Sequence, residues 1–191
     1  MRLILATQSP YKQAQLRLLK MPFLAKSPDV TEDHSLDLSP EQLSIYLAEQ
    51  KAKVLLEAYP DCLVIGSDQT ATFKDEATIL TKPGNKAKAI NQLLNSSGRS
   101  VEFYSGICVT GAGYEHSWSV KTEVRFRTLS EQEVIRYVDQ DSPLDCAGSF
   151  KVESLGISLF EYIRSDDPTA LVGLPLISLA QELRSHGYLA P

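Results

Sequence analysis

The chain has few of the residues that usually build metal centres and disulfide frameworks. It contains three cysteines and three histidines among 191 residues. No Cys-x-x-Cys pair occurs, and His34, His116 and His186 are too far apart to form a metal-spaced pair, which argues against a zinc site. Cys62 and Cys108 lie in apolar, strand-like runs, so we expect them to be buried free thiols in a reducing compartment.

Long apolar segments and an excess of positive charge are also missing. No run approaches the roughly 18 apolar residues of a membrane helix, and the run from Leu3 to Ala6 is too short for a signal peptide. The 19 Lys and Arg are outnumbered by 24 Asp and Glu, whereas general nucleic-acid binders carry a basic face. We therefore expect a soluble, cytoplasmic protein that binds neither a nucleic-acid polymer nor a membrane. A local basic group still allows binding of a small anion.

The composition is that of an ordinary globular protein, with 43% hydrophobic and 23% charged residues. Internal repeats, low-complexity tracts and linkers are absent from the sequence, so we expect residues 1–191 to form a single domain. Helix and strand signals are mixed along the chain. This mixture predicts an α/β fold on a mixed sheet.

The first helix is predicted by Ser9-Pro10, which follows the strand-like run Leu3–Ala6. Serine suits the N-cap of a helix and proline suits its first position. Ala14 and Leu18 then predict the apolar side of this helix. Residues 22 to 38 are polar and interrupted by proline, which predicts a loop around a short strand.

The second helix is predicted by Ser39-Pro40-Glu41-Gln42, which has the spacing of a capping box. Leu43, Leu47, Val54 and Ala58 follow at helical spacing, so we expect a long amphipathic helix over residues 40 to 58.

The remaining elements are predicted by apolar runs, alternation and caps. They comprise a strand at 62–65 ending at Gly66-Ser67-Asp68-Gln69, a helix at 85–95, an extended run at 101–110, an alternating strand at 120–126, a helix from Ser130 through Val138, a strand at 157–163 and a helix at 175–186.

Ser9-Pro10-Tyr11-Lys12 lies at a strand-to-helix junction and has two interpretations. Free backbone N–H groups, a hydroxyl and an ammonium together form an anion site. Plain N-capping with an exposed Lys12 explains the same residues, and the residues alone favour it.

Asp68 comes directly after an apolar strand, where open α/β sheets bind ligands. There it can hold a metal or deprotonate water. A turn aspartate that bonds its own backbone is an equal alternative. Lys51 and Lys82 are by themselves typical of solvated surface charges, and Glu32 is unremarkable in its polar loop.

The last third contains the most distinctive strings, Cys146-Ala147-Gly148-Ser149-Phe150-Lys151-Val152-Glu153 and Gly173-Leu174-Pro175-Leu176. With Ser9-Pro10, Leu-Ala-x-x-Lys-Ala around Lys51, the Asp68 segment and Lys82-Pro83, they resemble, in this order, the Maf family of nucleoside triphosphate pyrophosphatases. The resemblance covers the whole chain. Tyr11, Gln69 and Glu153 resemble the subfamily that acts on 7-methyl-GTP, since the dTTP/UTP subfamily typically has Arg, Thr and Gln there.

The resemblance implies an elongated mixed sheet flanked by helices, a central nucleotide cleft as in ITPase-like folds, and a homodimer. It implies cleavage between the α- and β-phosphates of a nucleoside triphosphate, with Mg2+ or Mn2+ as cofactor. Asp68 would activate water, and Glu32 with Asp68 would hold the metal. The triphosphate would be bound by Ser9, Lys12, Lys51 and Lys82, and the base by Tyr11, Gln69 and Glu153.

Two positions depart from the family pattern. Lys12 stands where the family normally has Arg, and Gln13 stands where it has a second basic residue. Lysine keeps the charge but lacks the planar two-pronged grip of arginine on phosphate. Two alternative functions remain: a dTTP/UTP pyrophosphatase, and a nucleotide-binding regulator of cell division with feeble catalysis.

Overall fold

Within the described part of the chain, one mixed sheet of six strands organises the molecule. The first three strands of the chain run parallel to one another, and each of the remaining three is antiparallel to its neighbours. The computed structural model describes residues 2–33, 35–76, 78–111 and 113–188, so the prediction on His34 lies outside it. The strands are β1 (Arg2–Ala6), β2 (Leu24–Lys26), β3 (Cys62–Phe73), β4 (Ser100–Gly111), β5 (Tyr114–Phe126) and β6 (Phe160–Ser165). Across the sheet they lie in the order β2-β1-β3-β4-β5-β6.

Helices cover both faces of this sheet, which confirms the predicted α/β class. They are α1 (Pro10–Arg17), α2 (Pro40–Ala58), α3 (Lys86–Ser96), α4 (Glu131–Asp141) and α5 (Leu176–Ser185), with short 3-10 turns at Ala147–Ser149, Leu155–Leu159 and Ala170–Val172. None of the helices in the described ranges is long and apolar enough to cross a membrane.

The helix starts predicted from caps are confirmed. The Ser39 hydroxyl accepts from the Gln42 N–H while the Gln42 side chain accepts from the Ser39 N–H, a complete capping box. Ser130 and Glu133 form the same reciprocal pair at the start of α4. Each box satisfies two backbone donors that the first turn leaves unpaired.

The predicted apolar side of α1 is wrong. Leu18 is 68% exposed and Ala14 is also exposed, whereas Gln15 and Leu16 are buried. The helix turns a polar residue inward because Gln15 finds backbone partners there.

The apolar side of α2 is only partly as predicted. Leu43 and Leu47 are buried, but Ala48, Ala52 and Leu55 continue the buried face in place of Val54 and Ala58.

The strand containing Asp68 is longer than its apolar run. β3 continues through Gly66-Ser67-Asp68-Gln69 to Phe73, because its backbone stays paired with β4, where Asp68 faces Gly106. The prediction that Asp68 follows the end of a strand is therefore wrong. The strand predicted over 157–163 begins at Phe160, since a 3-10 turn occupies Leu155–Leu159.

Two hydrophobic clusters enclose the N-terminal half of the sheet. On one face Ile4 and Val64 pack beneath Ala48 and Ala52 of α2. On the other face Leu3, Leu5 and Ile65 pack against Leu16 of α1 and Leu179 and Leu183 of α5. Because successive side chains of a strand point to opposite faces of the sheet, these parallel strands bury apolar residues on both faces.

Helix α2 lies very close to the sheet. A Cβ atom at Gly66 would lie 2.0 Å from the Ala48 carbonyl oxygen, and one at Gly106 would lie 2.3 Å from that of Ser44. Only glycine allows this approach, which brings the side chains of α2 within reach of the centre of β3.

A third cluster fills the other half of the molecule, between the sheet and α3 and α4. Four phenylalanines meet there edge to face, with Phe150 5.4 Å from Phe103, 5.8 Å from Phe126 and 4.8 Å from Phe160 between ring centroids. The central cleft lies between this cluster and the N-terminal half.

The prediction that Cys62 and Cys108 are buried free thiols is confirmed. Burial raises the pKa of Cys108 to about 11. His116 and His186, distant in sequence, both contact the Glu182 carboxylate on the surface away from the cleft.

Candidate active site

A cleft of about 1090 Å³ runs between the two halves of the molecule. Segments that are distant in sequence line it, from the β1–α1 junction to the turn that follows β6. Every candidate residue of the sequence analysis lines this cleft: Ser9, Tyr11, Lys12, Glu32, Lys51, Asp68, Gln69, Lys82 and Glu153.

Asp68 lies in the middle of β3 with its side chain only 9% exposed. The ammonium of Lys51, on α2, lies 2.5 Å from Asp68 Oδ1 and 2.6 Å from Glu32 Oε1. Burial alone would lower the pKa of Lys51, but these two carboxylates outweigh it and raise the pKa. Asp68 is therefore part of an ion-paired cluster and has no turn role.

The side chain of Lys12 extends from α1 to the same strand. Its ammonium donates to the Ser67 carbonyl oxygen at 3.0 Å. Burial lowers the pKa of Lys12 to about 8, with Asp68 opposing the shift and Lys51 adding to it. Lys82 lowers the pKa of Lys12 as Lys51 does and also lines the cleft, so Lys12, Lys51 and Lys82 bring three basic side chains to one cleft.

Gly173 packs against the aliphatic part of the Lys12 side chain. Its φ is +121°, and a Cβ atom there would lie 2.7 Å from Lys12 Cε. A side chain at this position would meet both backbone strain and the lysine stem. This contact accounts for a glycine in the string Gly173-Leu174-Pro175-Leu176.

Ser9 acts as the N-cap of α1, as the sequence favoured. Its hydroxyl accepts from the Lys12 N–H at 3.4 Å, and Pro10 follows at the first helical position. The same serine also lines the cleft, so N-capping and a place at the helix N-terminus facing an anion are compatible here.

Tyr11 borders a different part of the cleft, together with Cys146, Lys151 and Glu153. The Lys151 ammonium donates to the Asp141 carbonyl oxygen at 2.8 Å and lies 5.9 Å from the Tyr11 ring centroid. Burial raises the pKa of Tyr11, and the same cause raises that of Cys146 to about 12, with Asp145 and Glu153 contributing. An aromatic ring and exposed carboxylates therefore share this end.

Gln69 is held by the protein through its amide nitrogen. That nitrogen lies 3.0 Å from Ser105 Oγ, 3.2 Å from the Ala170 carbonyl oxygen and 3.0 Å from that of Leu171. Since an amide nitrogen has two hydrogens, these acceptors occupy it. The carbonyl oxygen of Gln69 is the atom that can accept from a ligand.

The donor set around Lys51 fits a hard divalent cation. Asp68 and Glu32 already converge on one cationic group, and carboxylate oxygens suit Mg2+ and Mn2+. Within the described ranges no group of three or more His, Cys, Asp and Glu could hold a metal.

Some residues of the site were not found from the sequence. Lys151 and Cys146 lie near Tyr11, and the segment 167–176 contacts the side chains of Lys12 and Gln69. The glycine-rich strings were visible as tight turns, but nothing local indicated which side chains they would support.

Two solved structures share this fold. The Ham1 protein of Staphylococcus aureus superposes with a TM-score of 0.53 at 13% identity, covering 98% of this chain and 100% of that one. A HAM1 protein of Coxiella burnetii gives a TM-score of 0.55 at 16% identity, covering 97% and 99%. The fold class is therefore that of the Ham1 proteins, an α/β sheet with a central cleft.

The sequence comparisons define the family. The family model described as Maf-like protein matches residues 2–186, and the chain belongs to this family. A protein of Aromatoleum aromaticum named 7-methyl-GTP pyrophosphatase is 45% identical, covering 100% of this chain and 98% of its own. A Pseudomonas aeruginosa protein of the same name is 44% identical, covering 99% and 98%.

Proposed function

We propose that this chain is a nucleoside triphosphate pyrophosphatase that hydrolyses 7-methyl-GTP to 7-methyl-GMP and pyrophosphate, removing a modified nucleotide from the pool. The observation that carries the proposal is the Asp68–Lys51 ion pair in a cleft that is also lined by Lys12, Lys82, Tyr11 and Glu153. The names of relatives at 43% and 46% identity support the same activity.

Hydrolysis of a phosphoanhydride depends mainly on positioning and on neutralising oxygen charge. Lys12, Lys51 and Lys82 supply that charge, and the N-terminus of α1 at Ser9 adds backbone donors. Asp68 accepts the proton of the attacking water. Cleavage between the α- and β-phosphates releases pyrophosphate, a leaving group that the lysines stabilise.

A divalent cation, Mg2+ or Mn2+, belongs to this proposal, held by Asp68 and Glu32. When bound, it would neutralise phosphate charge beside the lysines. Lys51 contacts both carboxylates, so its ammonium keeps them converged on one point.

The nucleobase binds at the Tyr11 end of the cleft. Methylation at N7 makes guanine cationic, and an aromatic face attracts such a cation by roughly 0.5–2 kcal/mol. Glu153 accepts from the N1–H and N2–H donors and opposes the positive charge of the ring. The carbonyl oxygen of Gln69 accepts from the same edge. Thymine and uracil present carbonyl oxygens beside a single N–H, and these oxygens would be repelled by Glu153.

Pyrophosphate release from 7-methyl-GTP, GTP, dTTP and UTP, with Mg2+ present, tests the proposal. We expect wild-type protein to prefer 7-methyl-GTP. Glu153→Gln should reduce its hydrolysis far more than that of UTP, and Tyr11→Ala should erode the preference over plain GTP. Glu161→Gln, an exposed glutamate on β6, is the matched control.

The outcomes separate the alternatives. Equal hydrolysis of dTTP, UTP and 7-methyl-GTP would exclude the base assignment and leave the pyrophosphatase assignment in place. Tight nucleotide binding with negligible release from every substrate would favour a binding regulator. A single domain over residues 1–191, a homodimer and a cytoplasmic location remain predictions from the sequence.

A further inference from the structure

We propose that Asp167 and Thr169 are positioning residues of this site. They act through the segment 167–176, hereafter the 167–176 loop, which places Lys12 and Gln69. This inference rests on the proposed function, because it concerns how the same cleft holds a triphosphate and a base.

Asp167 organises the loop from inside the protein. The residue is 2% exposed, and its carboxylate accepts three hydrogen bonds. Oδ1 accepts from the Thr169 N–H at 2.9 Å and from the Thr169 hydroxyl at 2.6 Å, while Oδ2 accepts from the Ile177 N–H at 2.7 Å. Asp167 therefore joins the start of the loop to the first turn of α5.

Thr169 links the start of the loop to its end through its hydroxyl group. Its hydroxyl oxygen accepts from the Leu176 N–H at 2.8 Å and lies 2.9 Å from the Leu174 carbonyl oxygen. The two ends of the loop are thus held together through one hydroxyl group.

The carbonyl oxygens of this loop point to the residues of the cleft. Those of Ala170 and Leu171 accept from the amide of Gln69. The Gly173 carbonyl oxygen accepts from the Ser67 hydroxyl at 2.8 Å, and Gly173 itself packs on Lys12 Cε. A shift of the loop must therefore move Gln69 and Lys12.

Helix α1 is tied to the same loop. The Gln15 amide donates to the Thr169 carbonyl oxygen at 2.7 Å, and its oxygen accepts from the Leu174 N–H at 3.0 Å. Gln15 lies one turn after Lys12, so the helix that carries Lys12 and the loop that supports it are fixed to one another.

The matched pair Thr169→Val and Thr169→Ser tests this role, since valine removes the hydroxyl at constant shape and serine keeps it. Thr169→Val should lower kcat/KM for 7-methyl-GTP by about ten- to a hundredfold, the range expected when reacting groups are displaced by up to about 1 Å. It should also reduce the preference over GTP. Thr169→Ser should restore most of both.

Thr110→Val is the control for a purely structural loss. Thr110 is 3% exposed and its hydroxyl donates to the Tyr114 carbonyl oxygen in the β4–β5 hairpin. This variant should unfold more easily with unchanged kcat and KM. If Thr169→Val behaves in the same way, the positioning role is overturned. Should Thr169→Val fail to fold, Asp167→Asn carries the test, because its amide would face a backbone N–H.

A double-mutant cycle locates the effect. If Thr169 acts through Lys12, Thr169→Val should cost much less in a Lys12→Met background than in the wild type. Full additivity would overturn the part of the proposal in which Thr169 acts through Lys12.

Calorimetric binding of inorganic triphosphate separates this inference from the proposed function. Wild-type protein should bind it, and Thr169→Val should bind it more weakly. Binding without hydrolysis of any nucleotide would sink the proposed function alone. Equal binding by the two proteins would sink the positioning role alone, and no binding by the wild type would overturn both.

Discussion

At the scale of single residues, the chemistry depends on a carboxylate placed in the interior of a strand. Asp68 is buried at 6% exposure, beside the Lys51 ammonium and opposite Gly106 on β4. A strand interior is more rigid than a loop, so the direction in which this carboxylate faces the cleft is closely defined.

Asp68→Asn should abolish hydrolysis without unfolding the protein. Asparagine is nearly isosteric and its oxygen can still accept from Lys51, but it cannot take a proton from water. General-base catalysis contributes about 10²–10⁴-fold, so turnover should fall by at least that order. Pyrophosphate release and thermal unfolding are the measurements, with exposed Asp166→Asn as the control. Unchanged turnover in Asp68→Asn would remove the residue from the reaction.

Activity should fall at alkaline pH as Lys12 loses its charge. Burial holds the pKa of its ammonium at about 8, below the ordinary 10.5, so the group loses its charge as pH rises through about 8. A neutral amine no longer attracts phosphate, and kcat/KM should fall there.

Lys12→Met isolates this effect from the ionisation of the substrate. Its kcat/KM should be lower than that of wild type at pH 7. The ratio of the wild-type value to the variant value should fall above about pH 8. A ratio that stays constant from pH 7 to about pH 9 would show that Lys12 does not titrate in this range.

At the scale of elements, reciprocal caps define the two helices α2 and α4. In α4 the Glu133 carboxylate accepts from the Ser130 N–H at 2.9 Å and from Arg127 Nη1 at 2.8 Å.

Glu133 should give the protein a measurable acid dependence. The hydrogen bonds from Ser130, and then Arg127, lower the pKa of Glu133 from 4.5 to about 2. Its stabilising contribution is therefore complete above about pH 4.5 and is lost as pH falls towards 2.

Glu133→Gln should accordingly flatten the decline of unfolding free energy between about pH 4.5 and 2, measured by urea denaturation. Glu131→Gln, in the same helical turn, serves as the control and should keep the wild-type slope. An identical slope in both variants would contradict the capping interpretation.

At the scale of the whole molecule, the aromatic cluster forms one wall of the cleft. Phe150 contacts Phe103, Phe126 and Phe160, and Phe150 and Phe103 both line the cleft. The packing of the half of the molecule that contains α3 and α4 and the shape of the cleft therefore depend on the same side chains.

Phe150→Ala should lower the free energy of unfolding by about 3–5 kcal/mol, the usual cost of emptying a buried phenylalanine site. It should also raise KM for 7-methyl-GTP, because the wall recedes. Chemical denaturation and steady-state kinetics measure the two effects. A loss below about 1 kcal/mol would mean that the cluster does not support this half.

Local signals determined much of the fold. Ser39 with Gln42 and Ser130 with Glu133 predicted helix starts that the structure confirms, because a cap acts over three residues of chain. The membership of the family was also visible, since its motifs are spread in order along the sequence. The candidate residues followed from those motifs.

Only the tertiary structure decided where Asp68 and Gln15 lie. The apolar run of β3 stops at Ile65, yet the strand continues to Phe73. It does so because β4 supplies backbone partners for a polar stretch that faces the cleft. Gln15 turns inward because Thr169 and Leu174, more than 150 residues away, offer hydrogen bonds. Such partners are distant along the chain, so no local pattern contains them. The pairing of Lys51 with Asp68 and the support of Lys12 by Gly173 have the same origin: they exist only once the sheet has assembled and α2 lies close on it.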